Sequence, residues 1–279
     1  MIIFKIILLF ALLIPPFLLA AQESKLFKTS QYSDSNFVLI GSDYGTNVGL
    51  IADDKRLLLI DPMPGEDSLG KLHSLIQGIS TKSISYVANT HIHEDHTGGN
   101  AYFSINGATI LDPTNLKLKS EASNEELLVF KRFGLEVFVV SSHTEQDFLY
   151  FHSKSNVLFV GDVFDNNWHP TFYAGGIDGF TKTINKILTI GNESTIIVPG
   201  HGAPAKKAVV KAFYNNTLIW LDRVSALHKA KLSVDQIMND EQINEILQRF
   251  NTEKRKDFIP QRAFQRFIER TIEIVSINQ

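Results

Sequence analysis

Residues 90–100 run Thr-His-Ile-His-Glu-Asp-His-Thr-Gly-Gly-Asn, and no other stretch constrains the chain as strongly. Three imidazoles and one carboxylate, His91, His93, Asp95 and His96, fall within six positions. A solvated loop has no reason to concentrate neutral nitrogen ligands, and a packed core cannot bury them unpaired. Alternate side chains of a short extended or looped segment can converge on one point. His91 and His93 can therefore grip one metal ion while Asp95 and His96 turn toward a second. Imidazole combined with carboxylate selects a borderline-soft divalent metal, zinc above all. The apolar residues 84–88 before the cluster read as a buried strand, and Thr97-Gly98-Gly99-Asn100 after it reads as a turn into a helix. That places the cluster at the carboxyl end of a strand, where open α/β sheets put their sites.

Three further candidates close apolar, β-rich runs. His143 follows residues 137–142, Asp162 follows 157–161 and His201 follows 195–200. Each sits where a strand is expected to end, so the spacing supports one shared site rather than scattered ligands. His73, His152 and His228 lack such a pattern and read as structural or solvated.

The His-x-His-x-Asp-His run, with its later partners, resembles the signature of the metallo-β-lactamase superfamily. The resemblance covers the chain from about residue 22 to about residue 204. It implies an α/β fold, a four-layer αββα sandwich, with a helical C-terminal extension. It also implies that His91, His93 and His143 bind one metal, that Asp95, His96 and His201 bind another, and that Asp162 bridges the two, with Asp95 and Asp162 as the catalytic carboxylates. Two zinc ions per chain are expected, with iron or manganese as alternatives. A shared anionic ligand offsets the repulsion of two nearby dications, and water held between them ionises near neutral pH, so no serine or cysteine nucleophile is needed. Asp61 matches the aspartate that supports the family's site from behind the ligands.

The subgroup is narrowed by composition. The chain contains no cysteine, which excludes disulfides, a cysteine metal ligand and a lipoprotein anchor. Gly161-Asp162 instead resembles glyoxalase II, lactonases and related ester or thioester hydrolases. The steps His143-Thr144-Glu145-Gln146-Asp147, Gly161-Asp162-Val163-Phe164 and Pro199-Gly200-His201-Gly202 resemble most those of exported zinc hydrolases of the superfamily. Glycine is usual in the family where this chain has Gln146, so a different local backbone is expected there.

The first 21 residues read as a secretory signal peptide: Lys5, an apolar run from Ile6 to Ile14, a Pro15-Pro16 break and small residues at Ala20-Ala21. The alternative is an uncleaved anchor. A periplasmic or secreted location follows, with no stable membrane partner after cleavage. Residues 22–204 then form the hydrolase domain and 205–279 a helical extension packed on it. Net charge is −3, which gives no electrostatic case for nucleic acid.

Strands are expected at 37–40, 48–52, 56–60, 84–88, 108–111, 136–141, 147–152, 157–161 and 195–198. Helices are expected at 66–79 and 179–190 and through most of the tail. Residues 51–61 and 152–162 align without a gap at a shift of 101, each an apolar run closed by aspartate, a faint echo of two related halves.

Two loops are expected to wall the pocket: 41–47 with Tyr44, as a flap, and 165–179 with Trp168, His169, Phe172 and Tyr173. These aromatics suit ordinary loop packing first, with a substrate wall as the functional reading. His169 is a weak candidate for substrate contact against a place at the surface. Arg262, Arg266 and Arg270, at helical spacing, read as a solvated face, with an anionic substrate as the alternative. The expected activity is hydrolysis of a small carbonyl ester, lactone, thioester or β-lactam. The alternative is a mononuclear iron oxidoreductase resembling persulfide dioxygenase, which metal analysis would separate from it.

Overall fold

A computed structural model describes residues 26–42, 45–63, 65–112 and 125–277; the expected signal peptide lies outside them. Two sheets face each other. The first contains β1 (Phe27–Ser33), β2 (Asn36–Gly41), β3 (Val48–Ala52), β4 (Arg56–Ile60), β5 (Ser83–Ala88) and β6 (Thr109–Ile110) in that order. The second runs β11 (Ala205–Lys206), β10 (Ile196–Pro199), β9 (Val157–Gly161), β8 (Asp147–His152) and β7 (Leu135–Val140).

Strand alternation makes the layers. Leu58 and Ile60 of β4 join Val157 and Phe159 of β9, with Tyr150 and Val198, in an apolar layer between the sheets. The alternate residues Leu57 and Leu59 face outward onto Leu69, Leu72 and Ile76 of α1 (Glu66–Ile79) and Phe103 of α3 (Asn100–Ile105). On the other side Leu158 and Val160 face α5 (Gly176–Thr189) and α6 (Lys207–Lys229). The order helix, sheet, sheet, helix is the expected sandwich.

The helical tail continues with α7 (Val234–Met238), α8 (Glu241–Gln248) and α9 (Gln261–Ile277). Ser233 and Gln236 form a capping box on α7, and Asp240 caps α8. Trp220 of α6 stacks on Phe267 of α9 at 4.2 Å, tying the tail's longest helices together.

β3, β4 and β5 form an antiparallel pair followed by a parallel neighbour, and β8, β9 and β10 repeat that pattern in the second sheet. Asp61 follows β4 and Asp162 follows β9, so the sequence echo marks equivalent places. β1 and α4 (Glu125–Arg132) are among the elements that escape sequence reading. β1 carries polar residues at most positions, being an edge strand, and α4 is short and half charged. Among the described residues no helix is long and apolar enough to cross a membrane.

Candidate metal centre

The carboxyl ends of β5, β9 and β10 and the turn between β7 and β8 open on one rim, and all seven candidate ligands lie there. His91 and His93 leave β5, and His93 caps the short helix α2 (Glu94–Thr97), which carries Asp95 and His96. The potential donor atoms form two groups: His91, His93, His143 and Asp162, and Asp95, His96, Asp162 and His201, each within 4.8 Å of one another.

In the first group His93 Nδ1 lies 3.1 Å from His91 Nε2 and 2.9 Å from His143 Nε2. Burial holds His91 down to about 2, so its ring stays neutral, and burial lowers His93 as well, with His143 adding to it. Three ring nitrogens crowded together suit a cation. In the second group His96 Nε2 lies 3.0 Å from Asp162 Oδ1, and His201 Nε2 lies 3.2 Å from Asp95 Oδ2. His201 is raised to about 9, because the Asp95 hydrogen bond and the Asp162 and Asp165 charges outweigh the burial that opposes it. The His201 bond in turn draws Asp95 down to about 2.

Asp162 joins the groups. Its Oδ1 faces His96 at 3.0 Å and His201 at 3.8 Å, while Oδ2 faces His143 at 3.6 Å and His91 at 3.9 Å. Burial opposes its charge, but His96, His91 and His201 hold the carboxyl well below the usual range. His96 Nε2 and Asp162 Oδ1 are both buried, and neither finds a hydrogen bond of good geometry. Two such atoms facing each other fit an ion shared between them.

The surroundings set the rings. Asp61 accepts from the Thr90 backbone N–H and hydroxyl, both at 2.6 Å, and its Oδ2 lies 3.1 Å from His96 Nδ1. The Thr90 hydroxyl, its proton given to Asp61, can accept from His91 Nδ1 at 3.1 Å, which turns Nε2 toward the cluster. Asp147 folds the turn that carries His143, accepting from the backbone N–H of Ser142, His143 and Thr144. Gln146, within that turn, has no positive φ, so glycine is not required there and the expected backbone difference has no steric cause. Gly161 does need to be glycine: φ is +55° and a Cβ would meet Thr90 Oγ1 at 2.3 Å. At Gly200 a Cβ would lie 1.9 Å from Asp162 Oδ1.

A cavity of about 680 Å³ opens beside the first group, lined by His93, His143, Trp168, Tyr173, Arg266 and Arg270 among others. Four readings of the sequence meet the structure here. Tyr44 lies outside the described residues, and the described part of loop 41–47 is a brace, with none of it lining this cavity. Thr46 donates to Asp95 O at 2.7 Å, and the Asn47 side chain donates to Pro199 O and Gly202 O. His169 is no surface residue: it is buried, stacks on Phe267 at 4.3 Å and contributes to the cavity wall from inside. Phe172 is core, packed 5.5 Å from Phe180, because the loop must pay for its backbone with apolar contact. The arginines divide, with Arg266 and Arg270 lining the cavity and Arg262 not among its residues. Helical spacing shows that they share a face but not what the face meets.

The family model described as the metallo-beta-lactamase superfamily matches residues 41–109. The metallo-beta-lactamase IND-1 of Chryseobacterium indologenes is 27% identical over 183 residues, covering 58% of this chain and 73% of that protein. A hydroxyacylglutathione hydrolase of Polaromonas is 27% identical over 160 residues, covering 52% of this chain and 56% of that protein. Among solved structures, VMB-1 superposes with a TM-score of 0.55 at 19% identity, covering 69% of this chain and 96% of that one. The DIM-1 metallo-beta-lactamase gives 0.53, also at 19%. Over residues 41–109 the chain is thus similar to the metallo-beta-lactamase superfamily, and its fold is that of the superfamily's solved members. Likeness to VMB-1 and DIM-1 at that identity shows the superfamily fold alone. The relatives named here are hydrolases. The chain spans little more than half the length of the hydroxyacylglutathione hydrolase it matches, so its substrate does not follow from that relative.

Proposed function

We propose that the protein is a zinc-dependent hydrolase that cleaves a carbonyl ester, lactone, thioester or β-lactam bond at a two-metal site. One observation carries this reading: the two oxygens of Asp162 face different ligand groups, one toward His96 and His201, the other toward His91 and His143. His91, His93 and His143 would hold one ion, Asp95, His96 and His201 the other, with Asp162 shared. When bound, such a pair supplies an ionised water and polarises the scissile carbonyl. The protein's own residues do the rest. Asp61, Thr90 and Asp147 set the ligand orientations, while His93 stays open to the solvent from which the attacking water comes.

The cavity supports a substrate with an apolar part against Trp168 and Tyr173 and an anionic part toward Arg266 and Arg270. Arg270 lies 4.2 Å over the Tyr173 ring, so its charge is held at the wall. Export through residues 1–21 belongs to the same reading, as does a catalytic unit of residues 22–204 with the helical extension packed on it. The experiment is metal analysis of the purified chain followed by a panel of esters, lactones, thioesters and β-lactams in zinc-supplemented buffer. Two zinc ions per chain with turnover of one class is the expected result. One iron per chain, with inert carbonyl substrates and oxygen consumed alongside a persulfide, overturns it in favour of an oxidoreductase.

A further inference from the structure

Thr171 lies in the loop between β9 and α5, and its hydroxyl is where two candidate ligands meet. Oγ1 donates to the backbone carbonyl of Asp162 at 2.9 Å. The same Oγ1 lies 2.8 Å from His143 Nδ1, and the Thr171 carbonyl lies 3.0 Å from that nitrogen. A hydroxyl has one proton. Once it is given to Asp162, Oγ1 has only lone pairs for His143, and a carbonyl has nothing else to offer. His143 Nδ1 must then be the donor. Its other nitrogen, Nε2, carries the lone pair, and Nε2 is the atom that lies 2.9 Å from His93 Nδ1 and 3.6 Å from Asp162 Oδ2.

We propose that Thr171 is a positioning residue for metal binding. It sets His143 in the tautomer that presents Nε2 to the cluster, and it ties that ring to the backbone of the shared carboxylate. The inference rests on the two-metal reading and adds what that reading leaves open: which residue makes His143 and Asp162 move as one. His91 is oriented through Thr90 and His96 through Asp61, both from the first sheet. Thr171 does the corresponding job from the second half. It does so from the loop that also carries Trp168 and Tyr173, so the cavity wall and the ligand ring share an anchor.

The test uses the full chain with Thr171→Val, which keeps the shape and the backbone carbonyl but removes the hydroxyl, and Thr171→Ser, which restores it. Zinc affinity is read by competition with a chromophoric chelator, and the tautomer of His143 by nitrogen NMR of the metal-free protein. Thermal melts of the metal-free variants establish first that they fold. The expected result is that T171V weakens one of two zinc-binding steps about tenfold, the low end for removing a ligand's partner because the carbonyl remains. The other step should stay near native and T171S should recover the loss. Native His143 should carry its proton on Nδ1. The proposal is overturned if T171V binds both zincs as the native chain does, if T171S is as weak as T171V, or if native His143 carries its proton on Nε2. The NMR readout decides even if T171V does not fold. A native chain that takes up no zinc overturns the two-metal reading itself, a result distinct from normal binding by T171V.

Discussion

Asp61 stands behind His96, its Oδ2 3.1 Å from the ring's Nδ1, while the opposite nitrogen lies 3.0 Å from Asp162. Asp61 adopts φ +51°, a left-handed backbone that asparagine also tolerates. Asp61→Asn is therefore the informative substitution, since it removes the charge without adding strain. Zinc binding should weaken by about 10–100-fold. Equilibrium competition with a chelator checks it, and unchanged affinity would show that Asp61 merely folds the Thr90 turn.

Alanine at His91 or Asp162 should lower hydrolysis more than ~100-fold, beyond the range for residues that only support a ligand. The fold should persist, because the layer between the sheets is built from Leu58, Ile60, Tyr150, Phe159 and their neighbours rather than from these side chains. Far-ultraviolet circular dichroism beside metal content makes the check. Full turnover with one bound metal would show that the shared carboxylate is not needed.

His169 gives the protein an acid sensitivity independent of the ligands. Burial lowers it to about 4, so the folded state holds it neutral where the unfolded chain, at about 6.5, takes up a proton. A base with a depressed folded value contributes stability that is present above pH ~6.5 and is lost as pH falls toward 4. At pH 5 the loss is about 2 kcal/mol. Urea unfolding of native protein and of His169→Phe at pH 7 and pH 5 tests this. The stability difference between the two pH values should shrink in the variant, and equal differences refute the idea.

Arg255 connects the tail to the site loop. Its Nη2 donates to Asn167 O at 2.7 Å, and its guanidinium lies 5.8 Å from the Trp168 ring centre. Arg255→Ala should cost about 2 kcal/mol of stability, the range for a charge-assisted hydrogen bond. It should also shift the fluorescence of Trp168. Denaturation by urea with emission spectra reads both, and a native-like spectrum would mean that the loop holds itself.

Sequence alone carried the ligand candidates because they occur where strands stop, and strand ends are legible from apolar runs. The sandwich was legible only through the family resemblance, because Leu57 to Ile60 are all apolar and do not show which of them face the other sheet. Features built by distant pairs were not legible. Nothing near Asn47 indicates that its amide will bond Pro199 and Gly202, so loop 41–47 read as a flap instead of a brace. Thr171 is an ordinary threonine until β9 and the turn before β8 bring His143 beside it. The arginines of α9 show a shared face, but the cavity it meets is assembled largely from residues between 92 and 174, far back in the chain.

The seam between the two sheets has a consequence for how the molecule holds together. His91, His93, Asp95 and His96 belong to the first sheet's half, and His143, Asp162 and His201 to the second. Ions seated there would rivet one half to the other, and a rivet's strength depends on its supply. With free metal at a hundred times its dissociation constant the folded chain gains about 2.7 kcal/mol, and in a starved medium it gains none. Mineral scarcity would then be felt first as a loosening of the joint, and the protein's lifetime would track the chemistry of its surroundings as closely as its turnover does.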